Sequence, residues 1–345
     1  MKTFVVTIAF VFMALAFSPA WNRASASPAA GRVVGWGNDP SGQATGIPHV
    51  GASTGLVAVA GSELTNAIAI SGGVNHSLAL RQDGTVVGWG WNKVGQATGV
   101  RASDPECGSG VVTISGQTLT NVAAISAGAS FSLALRKDGT VVSWGIGPNG
   151  QEAILRRLSN VVAISAADAD RAMALKSDGT IVWWGTNPRN LATPPASLSN
   201  LVAIACAREQ TLALTSDGHV IRWGYDRRVP EGLHNVVAIA VGSGAFGGGH
   251  CLALRSDGTV VGWGTNAHGE ATPPVGLSNV VAIAAGGMHS LALKKDGTVV
   301  AWGDNRWHQT DVPAALSNVV AVAAGETFSL AIVTNTLVLP SAPKQ

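Results

Sequence analysis

Charge is scarce in this chain: 12% of its 345 residues are Asp, Glu, Lys or Arg, about half the usual share of roughly 25%. No Lys/Arg run compensates, which argues against nucleic-acid binding, since that affinity comes largely from neutralising phosphates. Cysteine is also scarce. Cys107, Cys206 and Cys251 are too few and too irregular for a disulfide framework or a zinc site. They read as buried or free thiols, with a Cys206–Cys251 disulfide left open because both fall in comparable turn regions of neighbouring repeats. Metalloprotease His-Glu-x-x-His, Gly-x-Ser-x-Gly and Walker-type Gly-Lys-Ser/Thr motifs are all missing. The expectation is therefore a protein that is not an enzyme and takes no cofactor or metal.

Glycine, by contrast, is abundant, at 43 residues. It destabilises helix interiors by roughly 1 kcal/mol each, while Val, Ile and Trp favour strands. Short strands and tight turns are the expectation. Residues 1–26 differ in kind: Lys2, an apolar run from Phe4 to Phe17 and an Ala24-Ser25-Ala26 site read as a secretory signal peptide, too short to span a bilayer. The expectation is an exported chain, periplasmic or extracellular, with no membrane span after cleavage. Without Lys2 and Arg23 it would carry 20 basic and 20 acidic side chains.

A Trp-Gly pair recurs seven times, at Trp36, Trp89, Trp144, Trp184, Trp223, Trp263 and Trp302, with spacings of 53, 55, 40, 39, 40 and 39 residues. Such periods belong to propeller blades and solenoid units. Asn279 to Gly303 is the clearest copy. It contains a β-branched run from Asn279 to Ala284, an alternating segment from His289 to Leu293 and a third run from Thr298 to Trp302. Asp296-Gly297 joins the last two as a hairpin signal, and Asp-Gly recurs at Asp83, Asp138, Asp178, Asp217 and Asp257. After Trp-Gly comes a polar segment that reads as looser, with Asn92, Gly95 and Gln96 in one copy.

Units of three or four antiparallel strands cannot bury both faces alone, so they stack radially. Seven hairpin openers stand at Ala67, Val122, Val161, Leu201, Val236, Val280 and Val319. The expected fold is an all-β, seven-bladed β-propeller over residues 27–340, followed by a tail at 341–345. The N-terminal strand Arg32 to Trp36 would complete the C-terminal blade and hide two sheet edges; Thr336 to Pro340 is the alternative third strand. The tryptophans read as fillers between blades. The residue before Trp is usually small (Gly35, Gly88, Ser143, Gly262, Ala301), which would let blades approach; Trp183 and Arg222 break that rule, as a local repacking or a binding feature.

The repeat Ala284 to Asn305, AAGGMHSLALKKDGTVVAWGDN, resembles the repeat of the regulator of chromosome condensation family over nearly the whole chain after residue 26. Within that family, the period near 40, the leader and the segment AWGDNRWHQTDVP (Ala301 to Pro313) resemble the secreted seven-bladed β-lactamase inhibitory proteins. The resemblance implies a rigid, monomeric ring that binds another protein, a β-lactamase-like enzyme included, through loops on one face. Those inhibitors carry aromatic side chains in the turns before the His-Ser-Leu-Ala-Leu strands. Here the candidate turn residues are Asn75, Phe131, Asp168, Asp170, Arg171, Arg208, Glu209, Phe246, Met288, Glu326 and Phe328, with fewer of the Trp, Tyr and Arg anchors that give interfaces their energy. Trp91 and Trp307 lie in polar loops just outside the strand pattern and read as exposed, available to a protein or, in an alternative reading, to carbohydrate or cell envelope. The exchange-factor role of eukaryotic members fits poorly, because it needs a cytosolic or nuclear GTPase. His76, His250 and His289 share one repeat position and read as structural. The longer segments Gly46 to Thr65 and Val100 to Thr120 read as surface insertions or binding loops.

Overall fold

In the computed structural model the described residues are 29–103, 106–148, 151–167, 171–185, 193–195, 198–208, 210–224, 228–244 and 249–334. Residues 1–26, expected as a leader, the tail and Thr336 to Pro340 lie outside them. Seven antiparallel sheets follow one another, and each packs on the next, the seventh on the first. The second to sixth blades have three strands: Val122–Ala127, Phe131–Arg136 and Val141–Gly145; Val161–Ala166, Arg171–Lys176 and Ile181–Gly185; Leu201–Cys206, Gln210–Thr215 and Val220–Gly224; Val236–Val241, His250–Arg255 and Val260–Gly264; Val280–Ala285, His289–Lys294 and Val299–Gly303. All seven expected openers are the first residues of innermost strands. Predicted and observed strands of the sixth blade agree within one residue.

The first blade adds a fourth strand, Cys107–Val111, outside Ala67–Gly72, His76–Arg81 and Val86–Trp91. The seventh is assembled from both chain ends. Arg32–Asn38 pairs with Phe328–Val333, which also pairs with Val319–Ala324, and Ala52–Leu56 lies outermost. The N-terminal strand thus occupies the place for which Thr336 to Pro340 was the alternative. The two longer segments supply the extra strands and two small hairpins, Ala58–Val59 with Ser62–Glu63 and Thr113–Ile114 with Gln117–Thr118. One short helix, Gln151–Leu155, follows the second blade.

Each innermost strand is entered through an asparagine: Asn66, Asn121, Asn160, Asn200, Asn235, Asn279 and Asn318 stand at φ between 52° and 61°. Asn tolerates this left-handed region better than other side chains. The bend lets its carbonyl accept from the Asp-Gly turn of its own blade, as Asn279 accepts from Lys295 N–H at 2.9 Å. A bulge after the first strand residue then starts the ladder in every blade.

The core lies between sheets. Trp36 and Trp89 are fully buried, and apolar clusters join each sheet to its neighbours. The small residue before Trp, however, serves its own blade rather than the neighbouring one. A Cβ on Gly35, Gly88 or Gly262 would stand 1.9, 1.9 or 2.2 Å from the carbonyl oxygen of Ala44, Ala97 or Ala271, each in the loop that follows the same Trp-Gly strand. Where that loop differs, the space is filled otherwise: Arg222 is buried and donates to the Arg228 carbonyl at 3.0 Å, and Trp183 packs into the neighbouring apolar cluster. Both are repackings.

Candidate functional site

The loops after Trp36, Trp89, Trp263 and Trp302 are locked, not loose. Asn92 Oδ1 accepts from Ala97 N–H at 2.9 Å and its Nδ2 donates to Thr98 Oγ1 at 2.8 Å; Asn266 does the same with Ala271 and Thr272, at 2.9 and 2.8 Å. Asp39 takes this place in the loop after Trp36, accepting from Ala44 N–H at 2.7 Å and from the Thr45 and Ser53 hydroxyls. Burial pushes its carboxyl above the usual range, and these hydrogen bonds pull it back.

From each locked loop one backbone carbonyl reaches the next blade. Gln43 C=O accepts from Trp89 Nε1 at 3.0 Å and Ser77 Oγ at 2.7 Å. Glu270 C=O accepts from Trp302 Nε1 at 2.9 Å and Ser290 Oγ at 2.8 Å; Gln309 C=O accepts from Trp36 Nε1 at 2.9 Å and Ser329 Oγ at 2.8 Å. These clips were the main feature sequence reasoning missed. Their signal was present in the recurring Asn-x-x-Gly-Gln/Glu.

The turns between first and second strands and the starts of the Trp-Gly loops share one face. Asn75 C=O accepts from Trp91 N–H at 2.8 Å, Ser130 C=O from Ile146 N–H at 2.9 Å and Met288 C=O from Asp304 N–H at 2.9 Å. On this face a shallow depression opens, lined by Gly73, Val74, Ser243, Gly286, Gly287 and Glu326, among others. Its lining is small because successive turns meet backbone to backbone: a Cβ on Gly73 would stand 2.3 Å from Gly128 O. Glu326 is half-buried, and Ser243 Oγ–H donates to its carboxylate at 2.5 Å.

Several candidates leave the face. Phe131 and Phe328 are buried at 1% and 0% exposure and Arg171 at 4%, so the reading of these three as turn-surface contacts is corrected. They are the first residues of second strands and point into the gap between blades. His76, His250 and His289 fill that place elsewhere and bond Ser132, Ser290 and Ser329 Oγ at 2.8, 2.8 and 3.0 Å. The glycine before the turn leaves room for the ring, as a Cβ on Gly325 would stand 2.1 Å from Phe328 Cε1. Arg171 uses its guanidinium to donate to Ala207 C=O. Burial holds His76 and His250 down at about 3 and His289 at about 4, so all three are neutral near pH 7.

The structure keeps Asn75, Met288 and Glu326 half-buried on the turn face and Arg208 exposed there. Asp168, Asp170, Glu209 and Phe246 lie outside the described residues. Trp91 is corrected as well. It ends the strand Val86–Trp91, is paired with Cys107 in the added strand, and is half-buried with Nε1 donating to Glu106 Oε2 at 3.4 Å. Lys93 holds the same carboxylate at 2.6 Å. Trp307 is 43% exposed. Its backbone N–H is fixed on Gln309 Oε1 at 2.9 Å, and its neighbour Arg306 reaches Asp304 Oδ1 at 2.8 Å and Met288 Sδ at 3.7 Å. Gly287 N–H in turn donates to Glu326 C=O, so Trp307, Met288 and Glu326 form one continuous arc toward the depression.

The cysteines do not pair as the spacing left open. Cys206 Sγ sits 3.2 Å from Ser165 Oγ and Cys251 Sγ 3.1 Å from Gln210 Oε1, at different strand positions and without a disulfide. No helix among the described residues is long and apolar enough to cross a membrane.

Four segments, 67–96, 122–151, 236–270 and 280–309, match the family model of the regulator of chromosome condensation (RCC1) repeat. No curated protein is significantly similar in sequence. Among solved structures, Prp20p of Saccharomyces cerevisiae is similar at 18% identity and TM-score 0.69, over 90% of this chain and 93% of that one. Human WBSCR16 is similar at 20% identity and TM-score 0.67, over 88% and 100%. The ectodomain of the Arabidopsis thaliana receptor kinase ACR4 is similar at 21% identity and TM-score 0.50, over 74% and 89%. Matched repeats, locked Trp-Gly loops and seven sheets lead to one conclusion: the fold is a β-propeller, four of whose blades match the repeat of the regulator of chromosome condensation type.

Proposed function

We propose that this propeller is a secreted, non-catalytic platform that binds another protein through the turn face. The observation that carries this reading is Trp307, a large aromatic ring 43% exposed on a loop whose backbone is pinned by side chains. Rigid, solvent-facing aromatics beside Arg are what interfaces use as anchors, because little conformational freedom is lost on binding. Two structures of the yeast neighbour point the same way: one concerns its binding properties to Gsp1p and histones, the other Kap60 bound to it. Export rests on the leader-like run from Phe4 to Phe17.

Within this reading the chain acts as an inhibitor of serine β-lactamases. Titration of the purified chain lacking residues 1–26 against a panel of these enzymes, with a chromogenic substrate, is expected to show inhibition at nanomolar concentration, weakened by Trp307→Ala. Full activity at micromolar concentration removes the inhibitor role and leaves the platform for a different protein. The same exposed indole supports carbohydrate or envelope binding as a second reading. Glycan quenching of fluorescence that disappears in Trp307→Phe would favour it.

A further inference from the structure

The seventh and first blades carry a fourth strand that the other five lack among the described residues. Each comes from a longer segment, and the two align on the tryptophan they cover: Trp36 faces Thr54 in Ala-Ser-Thr-Gly-Leu, Trp89 faces Ser109 in Cys-Gly-Ser-Gly-Val. The shared pattern is two small residues, a hydroxyl opposite Trp, Gly and an aliphatic residue. In the first blade alternate residues of the Trp-Gly strand face inward, since Trp91 N–H bonds Asn75 C=O. Gly88 and Gly90 therefore present N–H and C=O outward to the added strand, and Val86 C=O accepts from Val112 N–H at 2.8 Å.

Each segment next forms a two-residue hairpin turn, Ala60-Gly61 at φ 50° and 77°, Ser115-Gly116 at φ 51° and 79°. The first hairpin latches the added strand of the following blade: Ala60 N–H donates to Ser109 Oγ at 3.1 Å, on the residue opposite Trp89. The second hairpin has the same turn geometry, but the blade it stands beside ends at Val141–Gly145. Ser115 N–H meets no acceptor among the described residues, and Ile114 is half-buried where its counterpart Val59 is 7% exposed. Ile146 N–H bonds inward to Ser130 C=O, so the backbone N–H and C=O groups of Ser143 and Gly145 face outward, and no described backbone group bonds them on that side. Val142, Ser143 and Gly145 are partly exposed, whereas Val86 to Gly90 are all buried.

We propose that the outer edge of Val141–Gly145 takes an extended segment of a partner protein as an antiparallel fourth strand, of the pattern small-small-Ser/Thr-Gly-aliphatic, its hydroxyl accepting from Ser115 N–H. An open edge strand templates such addition, and the first and seventh blades show the occupant's chemistry. The site lies on the outermost strand of its blade, separate from the turn-face residues, and does not depend on that face being the binding surface.

The probe is a synthetic peptide copying Glu106 to Val112 with Ala for Cys107, Glu-Ala-Gly-Ser-Gly-Val-Val. Its control carries N-methylglycine at both Gly positions, which removes two of the three N–H groups directed at the edge, leaving the last Val N–H, and leaves the protein untouched. At about ten times its dissociation constant the peptide should slow amide exchange at Ser143 and Gly145 about tenfold. The methylated control should protect neither, and Ser→Ala in the peptide should weaken binding several-fold. Equal protection by peptide and control, or by neither, overturns the proposal. So does protection of these amides without peptide that grows with protein concentration alongside a dimer in sedimentation, which would assign the edge to a second copy.

Discussion

In the sixth, seventh and first blades the indole N–H of Trp302, Trp36 and Trp89 donates to a carbonyl from the preceding loop; in the second to fifth, Trp144, Trp184, Trp223 and Trp263 have a buried indole N–H without a partner among the described residues. The strand sequences are alike, and for Trp184 and Trp223 the difference lies in the loops: those feeding the clipped arc contain Gly-Gln/Glu or His-Gln after an Asn or Asp, whereas the loops after Trp144 and Trp184 instead hold a helix and an Asn-Pro-Arg segment. The loop feeding Trp144 carries the same motif, Asn92 to Gln96, and there Gln96 C=O accepts from Ser132 Oγ at 2.8 Å but not from the indole. A blade thus takes its tryptophan from itself and its clip from its neighbour. The family-matched segments leave out the third and fourth blades, inside the unclipped arc, and the seventh, which is split between chain ends.

The largest test of this contrast is Trp89→Ala, which should cost on the order of 3 to 5 kcal/mol in denaturant unfolding through the cavity alone. Trp184→Ala should fall lower in that span, having no indole hydrogen bond to lose. If the two cost the same, the clip carries no weight.

Acid should act mainly through the three buried histidines. They are held at about 3, 3 and 4 against an ordinary value of 6.5, so protonation favours the unfolded chain. Stability is full above pH 6.5 and is lost as pH falls toward 4, by about 1.4 kcal/mol per unit for each histidine. His76→Phe copies what the second and seventh blades already use at that position, Phe131 and Phe328. It should spare roughly 3 kcal/mol of the loss at pH 4.5, measured as unfolding at pH 7.5 and 4.5.

Gly88→Ala places a Cβ 1.9 Å from Ala97 O, and should cost about 1 to 3 kcal/mol by overpacking. Ser143→Ala, at the same position in the unclipped arc, trims one hydroxyl bonded to Gln151 Oε1 at 3.0 Å and should cost about 1 kcal/mol. The smallest effect is expected from Trp→Phe. At Trp89 it removes one buried hydrogen bond, worth about 1 kcal/mol; at Trp184 it removes an unpartnered polar group and should cost less.

Much of this was legible because it is periodic. Trp-Gly, Asp-Gly and the seven openers recur at one blade's length, so the strand boundaries of the sixth blade fell within a residue. Site residues were harder to read. Phe131, Arg171 and Phe328 stand beside true turn residues in sequence, yet the second strand begins one position earlier than a surface reading needs, and alternation turns them inward. Trp91 looked like a loop residue because the strand that covers it, Cys107–Val111, begins 16 positions later.

By itself the sequence determined the unit, its sevenfold count and the hairpin within each copy, since propensity, alternation and turn chemistry act over a few residues. Only the tertiary structure decided which chain end completes the seventh blade, which carbonyl clips which indole, and where an edge stays open. Those depend on groups 20 to 273 residues apart, as Ser329 is from Gln309 and Trp36 from the same residue, and no local pattern encodes which of them meet.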